Sequence, residues 1–173
     1  TRDIAIRFNH RFGETFVLPK AVTPAEGARV MDLQEPTNKM SKSANTDAGC
    51  IFLLDDPAAI MKKFKRAVTD SDSEVRYDRE AKPGVSNLLD ILSAATGVKP
   101  VELAGKYTQY GPLKNDTGEA VVEMVKPIQQ RYADLMADRA ELQRLLRKGA
   151  DKARGVASAT LDRARNAIGF LPY

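Results

Sequence analysis

The sequence predicts a mainly α protein that opens with a short α/β stretch, and three observations predict it. From Asp56 onward, apolar residues recur at three- and four-residue spacing, with Asp, Pro and Gly where helices start and stop. Only two short runs near the beginning, residues 15–18 and 29–33, have strand character. No internal repeat and no low-complexity tract interrupts the pattern.

Taken in order, residues 2–12 place Ile4, Phe8 and Phe12 at i, i+4 and i+8 with Ala5 alongside, the stripe of a helix that Gly13 ends. Thr15-Phe16-Val17-Leu18 then reads as a strand before Pro19, the stretch with Pro24 and Gly27 as a loop, and residues 29–33 as a second strand. After a polar loop flanked by Pro36, Ala44 and Asn45, Asp55-Asp56-Pro57 opens a helix, because Asp accepts from exposed N–H groups and Pro loses no hydrogen bond at the first helical position. Met61, Phe64 and Val68 form its inner face and leave Lys62, Lys63, Lys65 and Arg66 on the others. Residues 69–84 are a polar connection in which Tyr77, between Arg76 and Asp78, reads as a loop anchor.

Helix resumes at Ser86, buries Leu88, Leu89, Ile91, Leu92 and Ala95, and stops at Gly97. Pro100 begins a shorter helix ending near Gly111. A longer apolar pattern covers residues 115–137, but Pro127 lacks a donor and clashes with the carbonyl four residues back, so a kink or break is expected at Lys126. Asp138-Arg139-Ala140-Glu141 is a fresh helix start of the capping-box kind, with Leu142, Leu145 and Leu146 inward and Gly149 as its close. A last helix over residues 150–168 presents Ala153, Ala157 and Ala164 with Val156 and Leu161.

Bulk features mostly exclude. In 173 residues the net charge is +4, compatible with a polyanionic partner and equally with a soluble basic surface. The basic excess concentrates at the end, where eight Lys or Arg face three Asp or Glu between Arg139 and Arg165. The single cysteine, Cys50, rules out an internal disulfide and reads as a buried small hydrophobe. The single histidine, His10, has no second imidazole with which to share a metal, and no protein-bound metal is predicted. No apolar stretch approaches the ~18 residues of a membrane span and no signal-peptide core is present, so a cytoplasmic protein is the default.

The stretch with chemical content is Lys39-Met40-Ser41-Lys42-Ser43. Two ammonium groups three residues apart can reach one polyanion while Met40 packs against the protein. Such a loop suits a triphosphate: when ATP is attacked at its α-phosphate, charge builds on the departing pyrophosphate, and lysines that close on it then lower the barrier selectively. Read alone, the same five residues also describe a solvated basic turn. Lys62 and Lys63, and Arg144, Arg147 and Lys148, are candidates for nucleic-acid phosphate contact, or are solvated charges of amphipathic helices.

Those five residues resemble the KMSKS loop of class I aminoacyl-tRNA synthetases. Gly27-Ala-Arg-Val-Met-Asp-Leu33, Ile51-Phe-Leu-Leu-Asp-Asp-Pro57, Lys65-Arg-Ala-Val-Thr-Asp-Ser71, Val75-Arg-Tyr-Asp78, Lys82-Pro-Gly-Val-Ser-Asn-Leu-Leu89 and Lys126-Pro-Ile-Gln-Gln-Arg-Tyr132 are similar to the bacterial-type tryptophanyl-tRNA synthetases, as are Arg2-Asp-Ile-Ala5 and Arg7-Phe-Asn9. The resemblance covers nearly the whole chain. It implies that residues 1–54 are the C-terminal edge of a Rossmann-like nucleotide-binding domain and 55–173 a helical domain of the anticodon-recognition type, with the last helices free to fold back on the catalytic part. It also implies ATP with Mg2+, L-tryptophan and tRNA(Trp) as partners, and a homodimer. Lys39 and Lys42 would steady the pyrophosphate, Ser41 and Ser43 would assist, Met40 would anchor the loop, and the backbone of Val30 would meet the adenine. The family's HIGH-like ATP motif and its tryptophan-selecting segment are not in the sequence and are expected upstream of Thr1, so the chain reads as the C-terminal portion of a tryptophan–tRNA ligase. A stand-alone tRNA-binding helical module is the other reading.

Overall fold

The computed structural model describes residues 1–24, 27–43, 46–72 and 74–170. The expected loop positions Ala44 and Asn45 lie outside the described residues. The described residues form helices α1 (Arg2–Phe12), α2 (Pro57–Lys65), α3 (Pro83–Thr96), α4 (Pro100–Ala104), α5 (Tyr110–Ala137) and α6 (Arg139–Ile168), with one 3-10 turn at Asp47–Gly49. They group into two compact units, Thr1–Val22 with Asp134–Tyr173, and Thr23–Ala133. The mainly α expectation holds.

Neither expected strand extends beyond a single bridge among the described residues, and in both places an asparagine side chain takes backbone groups that a neighbouring strand would otherwise pair. In the first unit the Asn9 carboxamide on α1 accepts from the N–H of Thr15 (3.1 Å) and Phe16 (2.9 Å) and donates to the Phe16 carbonyl (2.7 Å). This fold-back stacks Phe16 edge-on against Phe8 at 4.7 Å, with Phe12 beside Phe8 at 4.9 Å. In the second unit residues 30–32 keep a single antiparallel bridge, between Met31 and Lys39.

The core lies in the second unit. Phe64 and Ile60 of α2, Leu88 and Leu89 of α3, and Leu113 of α5 are fully buried, with Leu33, Val121 and Val125 nearly so. Each such side chain contributes roughly 1.5–3 kcal/mol by leaving water. The expected start of α2 is correct, since the Asp56 side chain accepts from Ala59 N–H at 2.9 Å and Pro57 takes the first turn. Gly97 closes α3 in the left-handed conformation, φ 75°.

Helix ends depart from expectation in four places. α3 begins at Pro83 rather than Ser86, and α4 ends at Ala104 rather than near Gly111. α5 runs unbroken through Pro127. Its stripe of Leu113, Thr117, Val121 and Val125 is buried before the proline, and the Gln129 amide after it donates to the carbonyls of Leu53 (2.8 Å) and Asp55 (2.9 Å). Contacts on both sides of the proline offset the lost hydrogen bond. α6 runs through Gly149 as one helix, because an exposed mid-helix glycine costs only about 1 kcal/mol relative to alanine and good helix formers surround it. Its start is as read, with Asp138 accepting from Glu141 N–H at 3.0 Å. Of the expected inner alanines Ala164 is buried, whereas Ala153 and Ala157 are exposed.

Candidate functional site

The turn that presents the lysines is built around Asp32. Its buried carboxylate accepts from the N–H groups of Gln34 (2.8 Å) and Glu35 (3.1 Å), and Asn38 closes the turn through Glu35, N–H to carbonyl at 2.8 Å and side chain to side chain at 2.6 Å. Asp32 N–H donates to Asn38 O (2.8 Å) and Met40 N–H to Val30 O (3.0 Å), so two short segments run antiparallel on either side of the turn. Gly49 supports it from behind: its carbonyl accepts from Leu33 N–H at 2.9 Å, and a Cβ there would land on the Asp32 carboxylate.

On this frame Val30 and Met40 face the hydrophobic core, while Lys39, Ser41, Lys42 and Ser43 are exposed. Ser41 Oγ accepts from Ser43 N–H at 3.2 Å. Neither Lys39 nor Lys42 makes an ion pair with a described residue, although Lys63, Lys82, Arg76 and Arg79 all do. A cleft of about 350 Å³ beside the turn is lined by Asp32, Gln34, Glu35, Asn38, Lys39, Ser43 and Thr46, so Lys39 shares it with two carboxylates. The arrangement is a core-anchored turn that carries two exposed cations with no ion-pair partner among the described residues.

Within the segment Lys82-Pro83-Gly84-Val85-Ser86-Asn87 only Asn87 bonds this turn, while the other residues fix the start of α3. Lys82, 1% exposed, donates to Asp70 (3.0 Å), to Asp72 and to the Tyr110 hydroxyl (3.0 Å), while Tyr110 donates to Asp70. Burial by itself would lower the Lys82 pKa, but the hydrogen bonds to Asp72, Tyr110 and Asp70 outweigh it and raise it. The bond from Lys82, aided by Glu74 N–H, holds Asp72 well below the usual carboxylate range. Burial, reinforced by the Asp70 contact, pushes Tyr110 up to about 12.

Pro83 sits in the first turn of α3, and Gly84 lets that turn lie against the backbone of Val68, where a Cβ would strike the carbonyl. Val85 is in the core, and Ser86 Oγ accepts from Asp78 N–H at 2.9 Å. The Asn87 carboxamide accepts from Met31 N–H at 2.9 Å and donates to Met31 O at 2.8 Å. Tyr77 anchors its loop, as read: its hydroxyl donates to the buried Asp90 carboxylate at 2.9 Å, and Arg79 reaches the same carboxylate at 3.1 Å.

The basic candidates differ in their surroundings. Lys62 is exposed, whereas Lys63 is engaged by Asp55 at 2.6 Å and the Cys50 carbonyl at 2.8 Å, over the Phe52 ring. Arg144 pairs with Glu141 of its own helix at 2.6 Å, and Arg147 and Lys148 are exposed on α6. Cys50 is buried, with its thiol pKa pushed up by that burial, and His10 is exposed. Among the described residues no group of three His, Cys, Asp or Glu is placed to hold a metal, and no helix is long and apolar enough to cross a membrane.

Sequence reasoning missed Asp32, Asn38, Gly49, Lys82 and Asn87. A Pro-Gly pair followed by Ser-Asn inside a helical pattern was the available signal, because small polar residues on an inner helix face imply backbone partners.

Comparison with known proteins bears on the same residues. Residues 1–126 match the family model described as tRNA synthetases class I (W and Y). The chain is 54% identical over 171 residues to tryptophan–tRNA ligase 1 of Streptomyces coelicolor, covering 99% of this chain and 51% of that protein. It is 55% identical over 173 residues to the tryptophan–tRNA ligase of Mycobacterium leprae, covering 99% and 50%. The chain thus spans about half the length of the curated relatives it matches. Among solved structures it is similar to tryptophanyl-tRNA synthetase from Mycoplasma pneumoniae, TM-score 0.88 at 31% identity, covering 98% of this chain and 52% of that one. The enzyme from Campylobacter jejuni, solved with ADP and tryptophan, matches with TM-score 0.61 at 28% identity over the same shares.

Proposed function

Since the chain belongs to the class I tRNA synthetases of the W and Y type, we propose that it is part of a tryptophan–tRNA ligase and supplies the lysine loop that acts on ATP. The observation that carries this reading is the pair Lys39 and Lys42, both exposed and without an ion-pair partner among the described residues, on a turn anchored by Asp32 and Met40.

In the reaction, a carboxylate oxygen of tryptophan attacks the α-phosphorus of ATP, the bond to the α–β bridging oxygen breaks, and pyrophosphate leaves with the electron pair. No side chain needs to act as nucleophile or base, so rate comes from positioning and from cations that meet the outgoing charge. Lys39 and Lys42 fill that role, Ser41 and Ser43 add hydroxyl donors, and Met40, packed on the core, keeps the loop attached. By the family resemblance the backbone of Val30, one residue before the position that Asn87 grips, would meet the adenine. Magnesium carried by ATP would share the phosphate charge with Lys39 and Lys42.

Residues 1–54 are then the edge of the nucleotide-binding domain and 55–173 the helical domain, and the grouping of Asp134–Tyr173 with Thr1–Val22 supports last helices that fold back on the catalytic part. Lys62, Arg147 and Lys148, exposed on α2 and α6, are the candidates for tRNA(Trp) phosphates. Lys63 and Arg144 reach tRNA only by exchanging Asp55 and Glu141 for phosphate. A homodimer working in the cytoplasm rests on the family resemblance alone. The exposed basic surface of α6 also supports a reading as a tRNA-binding module without catalysis.

ATP–pyrophosphate exchange by the intact protein separates the two. The proposal expects exchange that requires L-tryptophan and is not supported by L-tyrosine. Binding of tRNA without exchange would favour the module.

A further inference from the structure

We infer that Asn87 is a positioning residue for the lysine loop: its carboxamide, paired with both backbone polar groups of Met31, fixes the register in which Lys39 faces outward. This rests on the proposed role of the loop and adds a residue to it.

The hydrogen-bond pattern around the turn leaves one edge of residues 30–32 unpaired. Val30 O and Asp32 N–H bond across to residues 40 and 38, so Met31 and Lys39 form the non-hydrogen-bonded pair of the bridge, and the N–H and C=O of Met31 point to the other edge. No strand lies there among the described residues. Asn87, 3% exposed, fills the place with one acceptor at 2.9 Å and one donor at 2.8 Å. Only a carboxamide offers both at that spacing, and the Met31 groups fix which end is oxygen.

The clamp is mounted on a rigid element. Asn87 lies between Val85 and Leu88, both fully buried, on a helix whose first turn is tied down by Lys82. Its grip on Met31 reaches Lys39 through the flanking bonds, Asp32 N–H to Asn38 O and Met40 N–H to Val30 O. Side chains on a strand alternate, so a slip of one residue would turn Met40 out and Lys39 into the core. The pair of cations keeps its aim only while Met31 stays in place.

The test uses the intact protein with Asn87→Ala, Asn87→Leu, which keeps the volume and removes both hydrogen bonds, and Ser86→Ala, which removes from the neighbouring position of α3 the part-buried bond accepted from Asp78 N–H. Both Asn87 variants should lower kcat for tryptophan-dependent exchange by about 10- to 100-fold, with KM for tryptophan unchanged, and should speed amide hydrogen exchange over residues 30–40. Ser86→Ala should lower Tm but keep kcat within about twofold. Wild-type kcat in Asn87→Leu, or a loss in Ser86→Ala equal to that in Asn87→Ala, would overturn the inference. If the wild-type protein shows no exchange with tryptophan, the parent reading fails; amide exchange then judges the clamp, with acceleration supporting it and wild-type protection overturning it.

Discussion

Among single residues, Asp32 and Gly49 control the turn more tightly than the lysines they present. The Asp32 carboxylate occupies the place a Cβ on residue 49 would need, and neither the Leu33–Gly49 bond nor the pair of N–H groups on Asp32 allows much retreat. Gly49→Ala should therefore destabilise the intact protein by about 1–3 kcal/mol, the usual range for overpacking. Urea denaturation followed by far-UV circular dichroism measures it, and an unchanged midpoint would show that the turn yields freely. That the lysine pair lies on an exposed loop was legible from its spelling, whereas its proposed task came from the family resemblance, because the same five residues also describe a solvated basic turn. Asn87 was not legible, since it bonds backbone 56 positions away, and Asp32 and Asn38, which bond within three residues, were masked by the generally polar spelling of the loop.

At the scale of elements, helix content was legible from apolar spacing, and the N-caps Asp56 and Asp138 were legible from chemistry. Two of the four helix errors share one cause: Pro127 and Gly149 were given the weight they carry in an isolated helix, whereas tertiary contacts and long runs of helix formers override local breakers. The two strands failed for the complementary reason, since strand propensity needs a partner strand and here carboxamides supply the hydrogen bonds. Gly149→Ala tests the first point. A Cβ there meets nothing within 4 Å, so the substitution should stabilise α6 by about 0.5–1 kcal/mol. A loss of stability would mean that the glycine has a backbone role the continuous helix does not reveal.

At the scale of the molecule, the Lys82 cluster links the polar connection, α3 and α5, and it sets how stability depends on pH. Asp72 and Asp78 have lowered pKa values, so their contribution is in place above the ordinary carboxylate value near 3.8 and is lost as pH falls below it. Lys82 is raised, so its contribution is complete below 10.5 and fades above. Tyr107 and Tyr110, both raised to about 12 from 10.0, lose their stabilised neutral forms in the same alkaline range. Thermal melting should show a plateau between about pH 5 and 9 with decline on both sides. Lys82→Met should lower the plateau and flatten the acid side, and a variant that keeps the wild-type acid slope would assign that slope to other carboxylates.

The most direct test of the central claim is the ATP–pyrophosphate exchange kinetics of the intact protein carrying Lys42→Ala. If the lysines meet charge that develops only as pyrophosphate departs, kcat should fall by about 100-fold or more while KM for ATP moves by only a few fold. A rise in KM for ATP with kcat preserved would contradict the account, because it would make Lys42 a contact that holds ATP equally well before and during the reaction.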